Sequence, residues 1–182
     1  MPILLTVVPH RESWMSDFER EAVAVESAIG SILLALHHIG STAIPGIYAK
    51  PIIDILAEVE RLEALDARRV EMEGLGYEVM GEFGIPGRRY FRKDQADGQR
   101  THQIHAFAAG SPHVARHLAF RDYMRAHPAI AQEYSDLKVR LVGSCHGDRE
   151  AYMDGKDPFI KQTERDALAW QTARTLEMHG RV

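Results

Sequence analysis

The residues best suited to chemistry lie in one stretch of the sequence, between His37 and Val59. The pattern predicts a strand from Leu33 to His38, a tight loop, and a second, apolar strand from Pro51 to Leu56. The loop opens with Gly40-Ser41-Thr42, whose two hydroxyls and side-chain-free backbone could donate hydrogen bonds to phosphate oxygens. The second strand carries one acid, Asp54. The stretch therefore predicts an anion-binding turn beside a single carboxylate.

Asp54 needs an explanation, because a lone carboxylate in an apolar strand costs free energy unless it is paired or binds a metal ion. One interpretation is that Asp54 contacts a ligand or a metal. The alternative is a buried acid whose charge is balanced by Lys50, His38 or backbone donors. The sequence leaves both interpretations open.

These residues resemble the signature of the GrpB family. The resemblance is carried by Gly40-Ser41-Thr42-Ala43, Pro45-Gly46 and Ala49-Lys50-Pro51-Ile52-Ile53-Asp54-Ile55, and it continues in later segments around Phe120, Tyr134 and Tyr152. It implies a fold similar to that of the nucleotidyltransferases. In those proteins a Gly-Ser pair contacts phosphate oxygens, and an acidic strand about a dozen residues later holds a divalent metal ion beside a nucleoside triphosphate. Twelve residues lie between Ser41 and Asp54.

The acidic strand departs from the nucleotidyltransferase pattern. Ile52, Leu56 and Glu58 share the strand face of Asp54, so the usual pair of carboxylates separated by one residue is missing. A transferase that uses two metal ions would need ligands from elsewhere in the chain.

His105 is the candidate for completing the site. The segment from Thr101 to His105 resembles the family's Thr-His-His-Leu-His strand, with Gln103 where a histidine is common. In a strand, His105 and Gln103 share one face and His102 points to the other. If this strand lies beside that of Asp54, His105 could bind a divalent cation such as Mg²⁺ or transfer a proton. The alternative is a half-buried histidine that donates to a backbone carbonyl.

Positively charged side chains are the candidates for binding phosphate. Arg88 and Arg92 share one face of a predicted hairpin strand and could reach one ligand together, although a basic edge strand can also serve solubility alone. The resemblance adds three lysines from matched segments, which are Lys50, Lys138 and Lys156. Tyr134 and Tyr152 could stack a base, but their pattern favours core packing.

Composition predicts one globular domain, with a sheet-containing core over residues 1–110 and a helical part over residues 111–182. The chain has 182 residues, of which 45% are hydrophobic and 26% charged. A net charge of −4 argues against a general nucleic-acid-binding protein. The single cysteine, Cys145, excludes an intrachain disulfide, and no apolar run reaches membrane-spanning length. We therefore expect a cytoplasmic location.

The predicted fold class is α/β, with a mixed sheet flanked by helices and a helical C-terminal region. Apolar spacing predicts helices from Ser13 to Ile29 and from Leu62 to Leu75, and short strands follow from Tyr77 to Ala108. Ser111-Pro112 and Asp157-Pro158 each predict the start of a helix, because each pairs a capping side chain with proline. Ile3 to Val8 predicts a short strand or an arm.

Three functions are compatible with this pattern. The first is a protein that binds a nucleotide or phosphorylated metabolite with a divalent cation, and that carries out nucleotidyl transfer if it is an enzyme. The second is a noncatalytic binding module, which the single carboxylate favours. The third is a protein-interaction module, because the resemblance includes domains fused to dephospho-coenzyme A kinase and so implies a coenzyme A biosynthetic enzyme as a partner.

Overall fold

The computed structural model describes residues 5–179. The described chain forms two compact units. The first, called the sheet unit, comprises residues 11–43 and 51–114. The second, called the helical unit, comprises residues 5–10, 44–50 and 115–179. Residues 44–50 of the signature loop belong to the helical unit. The predicted division near residue 110 had assigned them to the sheet-containing part.

The elements of both units follow one another in a simple order along the chain. They are α1 (Ser13–Ile29), β1 (Leu33–Ile39), β2 (Ile53–Val59), α2 (Leu62–Asp66), α3 (Arg69–Gly74), β3 (Tyr77–Val79), β4 (Arg88–Asp94), β5 (Arg100–Ala108), α4 (Pro112–Ala126), α5 (Pro128–Ser144) and α6 (Arg149–His179). Helix α4 begins directly after Ser111, whose hydroxyl accepts a hydrogen bond from the His113 amide at 3.3 Å, as the capping pattern predicts.

The sheet unit is built on five strands in the order β1-β2-β5-β4-β3. Strands β2 and β5 are parallel, and the other neighbouring pairs are antiparallel. The predicted α/β class, with a mixed sheet, flanking helices and a helical C-terminal region, is confirmed. The parallel pairing of β2 with β5 is what brings the strand of Asp54 next to the strand of His105.

The two faces of the sheet differ in chemistry, because side chains alternate along each strand. One face, called the site face, carries Asp54, Gln103, His105, Tyr90 and Arg92 on three adjacent strands. The opposite face, called the core face, carries fully buried apolar residues, including Ile55, Phe91 and Ile104. Helix α1 covers this core face.

One buried polar network lies on the core face. Glu21 of α1 is 8% exposed, and its carboxylate accepts hydrogen bonds from the Tyr77 hydroxyl at 2.9 Å and from Lys93 Nζ at 2.9 and 3.1 Å. His102 Nε2 lies 3.9 Å from the same carboxylate. Burial is the main cause that lowers the pKa of His102. The network ties α1 to strands β3, β4 and β5.

The helical unit has its own apolar core. Its buried members are Ile44, Ile47, Met124, Ala131 and Tyr134. The Tyr134 ring stacks on Phe159 with ring centres 5.2 Å apart, which joins α5 to α6. Residues 44–50 therefore contribute apolar side chains to this unit although they lie between two strands of the sheet unit in sequence.

The predicted helix start at Asp157-Pro158 is wrong, because Pro158 lies inside α6. An internal proline removes one backbone hydrogen bond and costs about 3 kcal/mol. The helix continues because residues on both sides of the proline are buried, with Tyr152 at 1% and Ala167 at 0% exposure. Asp157 forms an ion pair with Lys161 at 2.7 Å instead of capping a helix.

Two other predicted elements also differ from the structure. The predicted helix from Leu62 to Leu75 is two short helices, α2 and α3. Leu65 and Met72 are both buried, so their spacing alone could not reveal the break between them. In the predicted N-terminal strand, Ile3 and Leu4 lie outside the described residues, and Val8 forms a single bridge with Ala49.

No helix within residues 5–179 combines the length and apolar composition needed to cross a membrane.

We expect Glu21→Ala to lower the free energy of unfolding by about 2 kcal/mol, because Tyr77 and Lys93 lose their shared acceptor. The loss stays below that of a fully buried pair because the Lys93 side chain is 27% exposed. Urea denaturation measures it, with Glu19→Ala on an exposed position of α1 as control. Equal losses in the two variants would contradict a stabilising role for the network.

Candidate functional site

The turn after β1 lies directly against Asp54. Ile39, the last residue of β1, pairs with Asp54 across the antiparallel β1–β2 ladder. Gly40 follows with φ of +70°, and a Cβ atom built there would lie 2.5 Å from Asp54 Oδ2 and 3.0 Å from Asp54 Cβ. A side chain at position 40 would therefore collide with the carboxyl group. The turn and the single acid, with twelve residues between Ser41 and Asp54 in sequence, are neighbours as predicted.

Asp54 is paired with His105 across two adjacent strands. Asp54 is in register with Gln103 in the parallel β2–β5 pair, and His105 lies two residues further along the same face. His105 Nε2 is 3.6 Å from Asp54 Oδ1. The Asp54 side chain is 27% exposed and that of His105 is 17% exposed. The carboxylate is therefore open to solvent on the site face, and not sealed inside the protein.

The neighbours of His105 indicate which of its nitrogens carries the proton. Arg88 Nη1 lies 3.4 Å from His105 Nδ1, and a guanidinium can only donate hydrogen bonds. The Nδ1 atom therefore acts as the acceptor, and the neutral ring carries its proton on Nε2, facing Asp54. This tautomer suits proton transfer or orientation of Asp54. Binding a metal through Nε2 would first require that proton to leave.

Arg88 is more buried than its predicted role in gripping phosphate suggests. It is 7% exposed, and it donates from Nε to the Glu82 carbonyl at 3.2 Å and from Nη2 to the Phe83 carbonyl at 2.7 Å. Burial lowers the pKa of Arg88. In this structure the guanidinium holds the loop before β4 and the ring of His105, so its contact with a ligand stays a prediction.

Two aromatic residues near His105 were not singled out in the sequence. The Tyr90 ring lies 5.4 Å from the His105 ring, and the exposed ring of Phe83 stacks on Tyr90 at 5.2 Å. Phe83 has φ of +45°, a conformation that costs free energy for a residue with a side chain. Tyr90 lies in strand β4, where an aromatic residue is common in a core, and Phe83 lies in the turn before that strand, so only the tertiary arrangement reveals their proximity to the site.

Thr42 has a structural role, because its side chain holds the turn in place. Its hydroxyl is buried and donates to the Ile52 carbonyl at 3.2 Å, and it lies 2.9 Å from His38 Nε2. Because the one hydroxyl proton goes to Ile52, the His38 nitrogen is the donor to Thr42. These bonds tie the turn to the start of β2. Ser41 is partly exposed beside Gly40 and remains the better candidate for phosphate.

The remaining predicted residues lie at other places in the fold. Arg92 is on the site face, where its Nε forms an ion pair with Glu78. Glu58, on the strand face of Asp54, forms a 2.7 Å bond with His37 Nε2. Lys50, Lys138 and Lys156 belong to the helical unit, where they lie around the rings of Tyr134 and Tyr152.

Within residues 5–179, no three histidine, cysteine, aspartate or glutamate side chains lie close enough together to hold a metal ion. Asp54 still fits the way Mg²⁺ is often held, by one or two carboxylates together with water and substrate phosphates. Its exposure on the site face leaves room for such partners.

The comparisons with known proteins identify the family. The GrpB protein family profile matches residues 4–166, and the chain therefore belongs to the GrpB family. The UPF0157 protein YqkA of Bacillus subtilis is 43% identical over 168 residues, which are 92% of this chain and 48% of YqkA. This chain thus spans about half the length of that relative.

A solved structure shares the fold. The conserved protein GrpB from Enterococcus faecalis is 42% identical, with a TM-score of 0.87 over 91% of this chain and 99% of that chain. Cid1 poly(U) polymerase aligns over 72% of this chain and 45% of its own, with a TM-score of 0.46 and 8% identity, too weak a likeness for any inference.

A dephospho-CoA kinase of Mycobacterium leprae also matches, at 28% identity over 86% of this chain and 46% of that protein.

We expect Gly40→Ala to lower the free energy of unfolding by about 3 kcal/mol, because it adds left-handed backbone strain and displaces the Asp54 carboxyl group. The control is Gly98→Ala, where φ is +81° but no atom lies within 4 Å of the new Cβ. In that control the free energy of unfolding should fall only through left-handed backbone strain, by about 1–2 kcal/mol. Equal losses in urea denaturation would contradict the close approach of Gly40 to Asp54.

Proposed function

We propose that this chain binds a nucleotide or another phosphorylated metabolite, together with a divalent cation, on the site face of its sheet unit. The observation that carries the proposal is the contact between the Gly40 turn and the partly exposed carboxylate of Asp54. Backbone N–H groups of a turn suit phosphate oxygens, and a carboxylate beside the turn suits the cation that accompanies phosphate. The turn proposed to bind phosphate and the carboxylate proposed to bind the cation are therefore neighbours.

Each residue of the site then has a definite role. Asp54 is the carboxylate ligand of Mg²⁺ or another divalent cation, and the Gly40-Ser41 backbone with the Ser41 hydroxyl binds the phosphates. His105, protonated on Nε2, orients Asp54 or transfers a proton. Arg88 holds His105 and adds positive charge, which offsets negative charge on the phosphates.

The reaction that fits these groups, if the protein is an enzyme, is nucleotidyl transfer. An acceptor hydroxyl would attack the α-phosphorus of a nucleoside triphosphate and form a new P–O bond, and pyrophosphate would leave as the bond to the β-phosphate breaks. The bound cation would neutralise charge on the phosphates. His105, which carries its proton on Nε2, would be the group placed to donate a proton to the leaving pyrophosphate, and the proton of the attacking hydroxyl would pass to water.

A noncatalytic binding module is the second candidate, and a specific observation favours it. Within the described strand β2, Asp54 is the acid that lies against the turn, since Leu56 on the same strand face is apolar and the carboxylate of Glu58 is bonded to His37. Two-metal chemistry usually needs more than one acid. The likeness to a dephospho-CoA kinase adds dephospho-coenzyme A to the ligands worth testing, and it makes a coenzyme A biosynthetic enzyme a proposed protein partner.

We expect Asp54→Asn to weaken Mg²⁺-dependent nucleotide binding at least about tenfold, because an amide is a poor ligand for a hard cation. The matched control is Glu58→Gln, which neutralises a partly exposed carboxylate on the same strand face. Isothermal titration calorimetry measures the binding of ATP, UTP and dephospho-coenzyme A with and without Mg²⁺. Absence of saturable binding to the unmodified protein would refute the proposed ligand class.

An incubation with α-labelled nucleotide separates the two candidates. Mg²⁺-dependent transfer of label that is lost in Asp54→Asn supports the transferase. Saturable binding without transfer supports the noncatalytic module.

A further inference from the structure

One exposed aromatic side chain extends a stack of rings on the site face of the sheet. Phe83 lies in the loop before β4, residues 81–87, and is 56% exposed. Its ring stacks on the ring of Tyr90, which is 6% exposed, with ring centres 5.2 Å apart and an angle of 23° between the ring planes. Tyr90 covers one face of the Phe83 ring, and the exposed area lies on the remainder of that side chain.

The loop holds Phe83 in this position at a cost in backbone free energy. Phe83 has φ of +45°, in the left-handed region that disfavours residues with a side chain. The buried Arg88 donates to the Glu82 and Phe83 carbonyls, and the Gly87 amide donates to Glu82 Oε1 at 2.7 Å. A single exposed apolar residue is common on a protein surface. A strained one that is fixed by a buried arginine is typical of a binding site.

Continuous contacts within the sheet unit join Phe83 to the proposed phosphate and cation site. The Tyr90 ring lies 5.4 Å from the His105 ring, and His105 Nε2 lies 3.6 Å from Asp54 Oδ1. Arg88 provides a second link, because its Nη1 lies 3.4 Å from His105 Nδ1 while its Nη2 donates to the Phe83 carbonyl at 2.7 Å. The exposed ring therefore lies at the end of a row of groups that begins at the Asp54 carboxylate.

We propose that the exposed face of the Phe83 ring stacks against the heteroaromatic base of a nucleotide whose phosphates lie at the Gly40 turn. Every nucleobase has a π face, and stacking on an aromatic side chain contributes to affinity whatever the base. The hydrogen bonds of the loop fix the ring before the ligand arrives, so little conformational freedom is lost on binding.

This inference rests on the proposed function and narrows its ligand class. A phosphorylated metabolite without an aromatic ring would gain nothing from Phe83. The ligand is therefore a nucleotide, or a molecule that contains one, with its base at the loop and its phosphates at the turn.

Two probes separate the base from the phosphates, because ATP carries both and inorganic tripolyphosphate carries the phosphate chain alone. Isothermal titration calorimetry of the full chain with Mg²⁺ measures the affinity for each probe. We expect Phe83→Leu to weaken ATP binding about fivefold or more and to leave tripolyphosphate binding unchanged. Leucine keeps an apolar side chain over Tyr90 but has no flat π face, so the variant removes the stack and keeps the cover.

Two further variants complete the comparison. Phe83→Tyr keeps an aromatic ring and should retain the affinity for ATP. Val70→Ala is the control, because Val70 is an exposed apolar residue of α3, at 76% exposure, outside the stack of rings. It should change the affinity for neither probe.

The inference is overturned if Phe83→Leu binds ATP as tightly as the unmodified chain does. It is also overturned if Phe83→Leu loses affinity for ATP and tripolyphosphate to the same extent, which is the result that a purely structural role in the loop would give. Either result refutes the base contact alone when Asp54→Asn still weakens tripolyphosphate binding. Failure of the proposed function is distinguishable, because the unmodified chain would then bind neither probe in the presence of Mg²⁺, and the base contact would fall with it.

Discussion

The whole candidate site depends on the close approach of one glycine to one carboxyl group. Only a residue without Cβ can occupy position 40, because the backbone there has φ of +70° and the Asp54 carboxyl lies where a side chain would be. The antiparallel pairing of β1 and β2 fixes this approach by setting Ile39 opposite Asp54. Strand β5 then adds His105 on the other side of Asp54.

Charged groups within this protein are placed in two contrasting ways. On the core face, Glu21 balances Lys93 and accepts from Tyr77, so that network ties a helix to the sheet. In the helical unit, burial and, second, the charge of Lys156 lower the pKa of Lys138. A balanced network stabilises a fold, whereas burial of a charged amine costs free energy.

Sequence reasoning predicted the features that follow from local periodicity. A short loop between two apolar strands predicts their proximity, and alternation along a strand placed His105 with Gln103 and His102 on the opposite face. Other features depend on long-range contacts that periodicity does not contain. The burial of Arg88 against the Glu82 and Phe83 carbonyls is one, and the passage of α6 through Pro158 is another. Which of Ser41 and Thr42 faces solvent also required the tertiary structure.

The most direct test of the account is paramagnetic broadening by Mn²⁺, a divalent cation that replaces Mg²⁺, in the amide NMR spectrum of the isotope-labelled chain with a nucleotide present. We expect the strongest broadening at the backbone amides of Gly40, Asp54 and His105, because the cation would lie against the Asp54 carboxylate. Broadening centred on other residues, or none at a saturating concentration of Mn²⁺, would contradict a cation site at Asp54.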